Sequence, residues 1–171
     1  MPQPSRKLML LGEIGVGKTS LVNRYVHGRF RTDYMPTLNV EIYTHNLPET
    51  DTRPALTLLI WDTDGNFGQT IFSSVYLKNA SAALIVADVT RPTTIEAKDQ
   101  LLKGWKNAMP GRPACILLNK SDLLGDTERS ELGTAEAEHS STPAFLTSAL
   151  SGDGVGDAFT AAADAIIRRG L

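Results

Sequence analysis

A glycine-rich turn between an apolar run and a helix-forming segment places the strongest constraint on the fold. Lys7–Leu11 is a short apolar run, and Lys18–Val26 is a predicted helix. The residues between them, Gly12–Thr19, fit the pattern G-x-x-x-x-G-K-[ST], in which a strand passes through a glycine loop directly into a helix. The chain is therefore predicted to begin as the strand, loop and helix of an α/β domain.

The residue types of this loop suit a bound phosphate group. Glycines let the backbone wrap phosphate oxygens and aim N–H groups at them, and the helix dipole adds its positive end. We expect Lys18 to reach the β- and γ-phosphates and the Thr19 hydroxyl to ligate Mg²⁺. The loop predicts a nucleoside triphosphate without identifying its base. The candidate contacts are Gly12, Ile14, Gly15, Val16, Gly17, Lys18, Thr19 and Ser20.

Apolar runs and helix-like segments alternate along the rest of the chain. Ala82–Asp88 and Cys115–Asn119 are almost continuously apolar, as expected for buried parallel strands. Leu38–Leu47 alternates between polar and apolar residues, which predicts an edge strand. Further strands are predicted at Ala55–Asp62 and Ala144–Thr147. The alternation is typical of a mostly parallel sheet with helices on both faces.

The predicted helices differ in strength. Thr93 and Glu96 predict a capping box at the start of one helix. Glu131–His139 is predicted as a weak helix interrupted by Gly133, and the acidic stretch Asp126–Glu138 is expected to be a solvated face. The two longer helices are predicted to bury one apolar face each. Those faces consist of Ile95, Leu102, Trp105 and Met109, and of Val155, Phe159, Ala162 and Ile166.

Composition agrees with one domain over residues 1–171. A chain of this length with 42% hydrophobic residues can bury a full core. The net charge of −2 gives no indication of a nucleic-acid partner. The single cysteine, Cys115, can form no intrachain disulfide, so we expect a cytoplasmic protein. We also expect the protein to be monomeric. There is no terminal signal and no C-terminal cysteine to prenylate, so no lipid anchor is expected in this chain, although a trimmed sequence would look the same.

A second motif follows a buried strand: Asn119–Asp122 reads N-K-S-D. With the phosphate loop, it makes the chain resemble the Ras-like small GTPases, most closely the Rab-type branch, over nearly its whole length. The resemblance implies a six-stranded, mostly parallel sheet with one antiparallel edge strand and about five helices on both faces. It also implies GTP and GDP as bound nucleotides, Mg²⁺ as the cofactor, and a molecular switch that hydrolyses GTP.

In that family the N-K-x-D motif reads the base. The resemblance implies that Asp122 accepts hydrogen bonds from guanine N1–H and the 2-amino group, whereas adenine would leave the carboxylate unpaired. Asn119 would brace the site, and Lys120 would lie over the base plane. Ser148 and Ala149 match the first two residues of the family's S-A-K loop, where backbone N–H groups meet the guanine oxygen. The third residue is Leu150 rather than lysine, which should reduce packing around the base.

Two segments match the family's switch regions. Phe30 and Tyr34 stand where the first switch has an aromatic residue beside the base and a tyrosine over the phosphates. Thr37 matches the threonine that closes onto Mg²⁺ and the γ-phosphate. Asp62–Gly65 reads D-x-x-G, in which Asp62 would hold Mg²⁺ through a water and the Gly65 N–H would meet the γ-phosphate. The implied metal ligands are thus Thr19, Thr37 and Asp62.

Three positions depart from the family pattern where water would attack the γ-phosphate. Asn66 replaces the usual glutamine, and its amide stem is one methylene shorter. Asp64 replaces an alanine and adds negative charge, and Ile14 replaces a small residue and would crowd an arginine supplied by another protein. We predict slow hydrolysis with Asn66, Lys18 and Thr37 as catalytic residues. The alternative is that Asn66 works adequately with an adjusted loop.

Two classes of function stay open. The first is a GTP-hydrolysing switch, which Thr37 and Asp62 favour because a γ-phosphate sensor is useful only if that phosphate comes and goes. The second is a guanine-nucleotide-binding interaction module with little or no GTPase activity. A P-loop kinase or ATPase would need an acceptor site and a lid, and the sequence offers neither. The resemblance implies an effector, an exchange factor and a GTPase-activating protein as partners, with Val40, Ile42, Tyr43 and Trp61 as candidate contacts.

Overall fold

A six-stranded sheet forms the centre of the protein in a computed structural model that describes residues 2–171. The strand order is β2-β3-β1-β4-β5-β6, and β2 runs antiparallel to β3 while all other neighbours are parallel. The predicted mostly parallel sheet with one antiparallel edge strand is therefore confirmed. The strands are β1 (Ser5–Leu11), β2 (Val40–Leu47), β3 (Leu56–Thr63), β4 (Ala80–Asp88), β5 (Ala114–Asn119) and β6 (Ala144–Leu146).

Four α-helices and three 3₁₀ segments accompany the sheet. The longest 3₁₀ segment, Gly65–Ser73, serves as a fifth helical element beside α2. Across residues 2–171, no helix has the length and apolar character needed to cross a membrane. The helices are α1 (Lys18–His27), α2 (Pro92–Ala108), α3 (Asp126–His139) and α4 (Val155–Arg168), and the shorter 3₁₀ segments are Val75–Leu77 and Ser121–Leu123.

Alternate residues of the central strands enter two cores, one on each face of the sheet. In β1, Leu8 and Leu10 pack in the core that α1 and α4 cover, whereas Met9 and Leu11 pack in the core that α2 covers. Successive side chains of a strand point to opposite faces, so a strand covered on both sides is apolar throughout. The second core is built around Trp105, which is fully buried.

The predicted capping box at the start of α2 is wrong. The helix begins at Pro92, with Arg91 as its N-cap, and no side chain caps it. Proline suits the first helical position because its missing N–H would have no intrahelical partner. Thr94 Oγ1 instead accepts a hydrogen bond from the Asp88 N–H at 2.9 Å, which ties the first turn of α2 to the end of β4.

The predictions for α3 need two corrections. The helix begins at Asp126, five residues before the predicted start, and Gly133 does not interrupt it. The acidic stretch is also not wholly solvated, because Glu136 is buried and its Oε2 lies 3.0 Å from Nζ of the buried Lys98 on α2. A buried charge needs an opposite charge beside it, and the partner here comes from a different helix.

Candidate nucleotide and magnesium site

The motif residues meet where four parallel strands end. The carboxyl ends of β1, β3, β4 and β5 lie at the same edge of the sheet because these strands run in the same direction. Gly12 follows β1, Asp62 is the penultimate residue of β3, and Asn119 is the last residue of β5. Ligands of open α/β sheets bind in the crevice at this edge.

Lys18 lies beneath the phosphate loop. Its ammonium donates to the carbonyl oxygens of Gly12 and Glu13 at 2.7 and 2.8 Å, and the side chain is only 6% exposed. Burial lowers the pKa of Lys18 to about 8, and the charges of Asp62 and Asp64 counteract only part of this effect. Both hydrogen-bond partners of the ammonium are neutral, so the site suits an added anion.

Asn119 joins the phosphate loop to the base motif. Its Nδ2 donates to the Val16 carbonyl at 2.9 Å, and its Oδ1 accepts from Thr147 Oγ1 at 3.1 Å. The amide leaves no room for a side chain at Gly17, where a Cβ would lie 2.3 Å from Nδ2 and φ is +102°. Glycine at that position is therefore required by both the backbone conformation and the neighbouring amide.

Three oxygen-bearing side chains from three segments converge beside the loop. Thr19 Oγ1 lies 2.7 Å from Thr37 Oγ1 and donates to Asp62 Oδ2, and Thr37 Oγ1 lies 3.3 Å from the same carboxylate oxygen. Thr19 comes from α1, Asp62 from β3, and Thr37 from the segment before β2. The structure thus brings together the three residues that the sequence proposes as metal ligands.

The cluster fits a small divalent cation such as Mg²⁺. Asp62 is fully buried, its Oδ1 has no hydrogen-bond partner among the described residues, and burial raises the pKa of this carboxyl to about 6. An adjacent cation would complete the coordination of this oxygen and favour the ionised form. Hydroxyl and carboxylate oxygens are also the hard donors that Mg²⁺ selects.

The second switch segment rests directly against the phosphate loop. A Cβ on Gly65 would lie 2.3 Å from the Ile14 backbone nitrogen and 2.6 Å from the Glu13 carbonyl carbon, so only glycine permits this approach. The Asp64 N–H donates to the Asn39 carbonyl at 2.7 Å, which connects the second switch segment to the residue before β2. The two predicted switch segments are therefore in contact with each other and with the loop.

Asn66 and the first-switch aromatic residues are exposed. The Asn66 N–H donates to Asp64 Oδ1 at 2.9 Å, but its side chain is exposed and makes no hydrogen bond within residues 2–171. Tyr34 is 68% exposed and Phe30 is 37% exposed. The contacts of these three residues with the nucleotide stay predictions.

The base-recognition residues form a connected pair of loops. Asp122 Oδ1 accepts from Ser148 Oγ at 2.7 Å, which orients the carboxylate. The Ser148 N–H donates to the Asp153 carbonyl at 2.9 Å, so Ala149 is the remaining candidate for the backbone contact to the guanine oxygen, which stays a prediction.

Sequence reasoning missed three residues that hold these loops. Asp88 is buried at the end of β4, and its Oδ2 lies 2.7 Å from Lys120 Nζ and 3.1 Å from Arg91 Nε. Arg24 of α1 donates from Nε to the Ala149 carbonyl at 2.8 Å. Asp88 could have been found as a carboxylate ending a buried strand, the position that Asn119 has in β5. The two arginines carry no such signal, because their reach depends on the folded backbone.

The candidate partner contacts lie at the antiparallel edge. Ile42 of β2 is exposed, whereas Val40, Tyr43 and Trp61 are half-buried. The ammonium of Lys7 lies 3.5 Å from the centre of the Trp61 ring, a cation–π geometry that fixes the ring. Trp61 therefore has a packing role in addition to any surface contact.

Fold and site together define an α/β domain with a phosphate-binding loop of the strand–loop–helix type. The model of the Ras family matches residues 7–168. The chain belongs to the Ras family of small GTPases.

The relatives are Rab-type proteins. Ras-related protein Rab-32 of Sus scrofa is 36% identical over 156 residues, which cover 84% of this chain and 66% of that protein. Ras-related protein Rab11E of Lotus japonicus is 36% identical over 156 residues, which cover 90% of this chain and 71% of that protein. GTP-binding protein ypt5 of Schizosaccharomyces pombe is 33% identical over 162 residues, which cover 93% of this chain and 76% of that protein. The resemblance to the Rab-type branch is confirmed, and the chain spans about two thirds of the length of the Rab-32 relative.

Proposed function

We propose that the protein is a molecular switch that binds GTP with Mg²⁺ and hydrolyses it slowly to GDP and phosphate. The observation that carries this proposal is the convergence of Thr19 and Thr37 on Asp62 Oδ2, beside a buried Oδ1 that has no hydrogen-bond partner within residues 2–171. Thr37 comes from a segment outside the phosphate loop, so its position is sensitive to what the loop holds. A segment that orders only with the γ-phosphate is the usual basis of a nucleotide switch.

Each residue of the site has a proposed part in hydrolysis. Lys18 neutralises charge on the β- and γ-phosphates, and the Gly65 N–H contacts the γ-phosphate as water attacks in line. Mg²⁺, held by Thr19, Thr37 and, through a water, Asp62, would supply charge neutralisation. Asp122 binds the base and so selects guanine. Asn66 would orient the attacking water, but its exposed side chain is short for this role.

A guanine-nucleotide-binding interaction module is the second candidate. Two observations favour it: the Asn66 side chain is exposed and makes no hydrogen bond within residues 2–171, and the Asp64 carboxylate is engaged with the Asn66 N–H rather than with a water-positioning amide. In this case the nucleotide would serve to order the switch segments without being turned over. The partners would be the same, an effector at the β2 edge and an exchange factor at the switches.

One experiment separates the two candidates. One portion of the purified protein is denatured, and its nucleotide is identified by chromatography. A second, native portion is loaded with GTP and followed for conversion of GTP to GDP with Mg²⁺ under single-turnover conditions. Complete conversion that depends on Mg²⁺ supports the switch. Bound guanine nucleotide without conversion supports the interaction module, and the absence of guanine nucleotide binding contradicts both.

Replacing Asn66 by glutamine should accelerate hydrolysis. The added methylene lengthens the side chain so that the amide can reach an in-line water, and positioning a water by one hydrogen bond contributes roughly tenfold or more to a rate. We therefore expect the single-turnover rate constant of Asn66→Gln to exceed that of the wild type about tenfold. Asn107→Gln, the same change on the exposed face of α2, is the matched control. Equal rates for all three proteins would contradict the positioning argument.

Replacing Ile14 by glycine should restore a response to an arginine finger. The Ile14 backbone packs against Gly65 and its side chain is exposed above the loop, where an arginine from a partner would enter. We expect a Rab-type GTPase-activating domain to accelerate hydrolysis by Ile14→Gly at least tenfold more than by the wild type. The same domain with its arginine replaced by alanine is the control. If wild type and variant respond alike, Ile14 does not obstruct the site.

A further inference from the structure

Arg91 links the end of β4 to the outer face of the phosphate loop. Its Nη2 donates to the Ile14 carbonyl at 2.8 Å, and its Nε donates to Asp88 Oδ2 at 3.1 Å. The guanidinium lies against Gly15 and belongs to neither sequence motif. Arg91 thus holds a carbonyl oxygen of the phosphate loop from outside the loop.

The contact with the Ile14 carbonyl also orients the N–H of the next residue. The Ile14 carbonyl and the Gly15 N–H belong to one planar peptide, and in a trans peptide they point in opposite directions. Residues 2–171 contain no cis peptide bond. Because Arg91 holds the carbonyl, the Gly15 N–H is directed away from Arg91. A loop N–H on that opposite side is available to a phosphate oxygen, since such loops bind phosphate through backbone N–H groups.

We propose that Arg91 is a positioning residue that fixes the Gly15 N–H for the bound phosphate chain, an inference that rests on the nucleotide-binding function proposed above. An unheld peptide in a glycine-rich loop can rotate, because glycine restricts its backbone little. The guanidinium prevents this rotation without touching the nucleotide. Its planar fork reaches two acceptors at once, which the single ammonium of a lysine does not do in the same geometry.

Asp88 makes this arrangement rigid. Its Oδ1 accepts from both the N–H and the hydroxyl of Thr90, at 2.9 and 2.6 Å, and its Oδ2 faces Arg91 and Lys120. Burial opposes ionisation, but the hydrogen bonds from Lys120 and Thr90 outweigh it and lower the pKa of Asp88 to about 2. One ionised carboxylate thus anchors Arg91 on the loop side and Lys120 on the base side.

The main test measures dissociation of a fluorescent GDP analogue with Mg²⁺ present. We expect Arg91→Met and Arg91→Lys each to dissociate about tenfold faster than the wild type, the effect of losing one hydrogen bond from a charged group. Arg91 is 42% exposed, so both variants keep the core intact. Arg169→Met is the matched control, because Arg169 also donates to a loop carbonyl, that of Gly111 at 2.7 Å, far from the site.

A second measurement distinguishes positioning from a general structural effect. In amide NMR spectra of the GDP complex, the Gly15 resonance should shift upfield in Arg91→Met, while amides outside the loop and its neighbours stay in place. An unchanged Gly15 resonance, or wild-type dissociation in Arg91→Met, would overturn the inference. Wild-type dissociation in Arg91→Lys would also overturn it, because charge alone would then suffice. If the wild type binds no guanine nucleotide at all, the proposed function fails instead.

Discussion

Asp122→Asn should lower the affinity for GDP at least a hundredfold and create affinity for xanthosine diphosphate. The Ser148 hydroxyl donates to Asp122 Oδ1 and orients the carboxylate, whose remaining lone pairs can accept from the two donors of the base. Guanine presents two donors at this edge, and an asparagine NH₂ group there would face a donor with a donor. Losing a hydrogen bond to a charged group and leaving a donor unpaired costs roughly 3–5 kcal/mol, or about 10²–10⁴ in affinity.

Xanthine replaces one of these two donors, because it carries an oxygen where guanine carries the 2-amino group and keeps its N1–H. The asparagine Nδ2 can then donate to that oxygen, while Oδ1 accepts from N1–H and from Ser148. Displacement of a fluorescent nucleotide by each diphosphate gives both affinities. Asp153→Asn, which removes an exposed charge from the neighbouring loop, should leave the preference for guanine unchanged. If Asp122→Asn still preferred GDP, another residue would have to read the base.

The residues that could be predicted from the sequence occupy positions that backbone topology alone determines. Asp62 and Asn119 end parallel strands, so the edge at which they meet follows from the strand order. Lys18 and Thr19 begin a helix directly after the glycine loop. Such positions are independent of side-chain conformation, and for this reason the fold and the place of the site were accessible without coordinates.

The remainder depended on contacts between segments distant in sequence. Arg91 and Arg24 reach carbonyls 77 and 125 residues away, and a basic residue in a helix or turn gives no sign of such a target. Glu136 looked solvated because its buried partner, Lys98, lies on another helix. The sequence also did not show that the Ser148 N–H donates to the Asp153 carbonyl, because that carbonyl belongs to a turn whose shape depends on the folded backbone.

Lys18→Met should reduce the affinity for GDP and GTP by about two to four orders of magnitude. The ammonium is buried with neutral partners, so it meets the phosphates in an environment with little screening by solvent. Two charge-assisted hydrogen bonds to phosphate contribute roughly 1.5–3 kcal/mol each. Methionine keeps most of the side-chain volume and therefore tests the charge rather than the packing. Titration calorimetry with each nucleotide measures the loss.

Loss of folding would mimic loss of binding, so the free energy of unfolding must be measured beside the affinity. Removing the ammonium leaves the Gly12 and Glu13 carbonyls without their donor, which should destabilise the protein by about 1–3 kcal/mol and leave it folded. Lys103→Met, on the exposed surface of α2, controls for the change in net charge. A folded Lys18→Met protein that bound GDP within threefold of the wild type would show that the loop holds phosphate by its backbone alone. The part of Lys18 in hydrolysis is tested separately, by the single-turnover rate constant of Lys18→Met with GTP, because catalysis depends on stabilisation of the transition state rather than on the affinity for GDP.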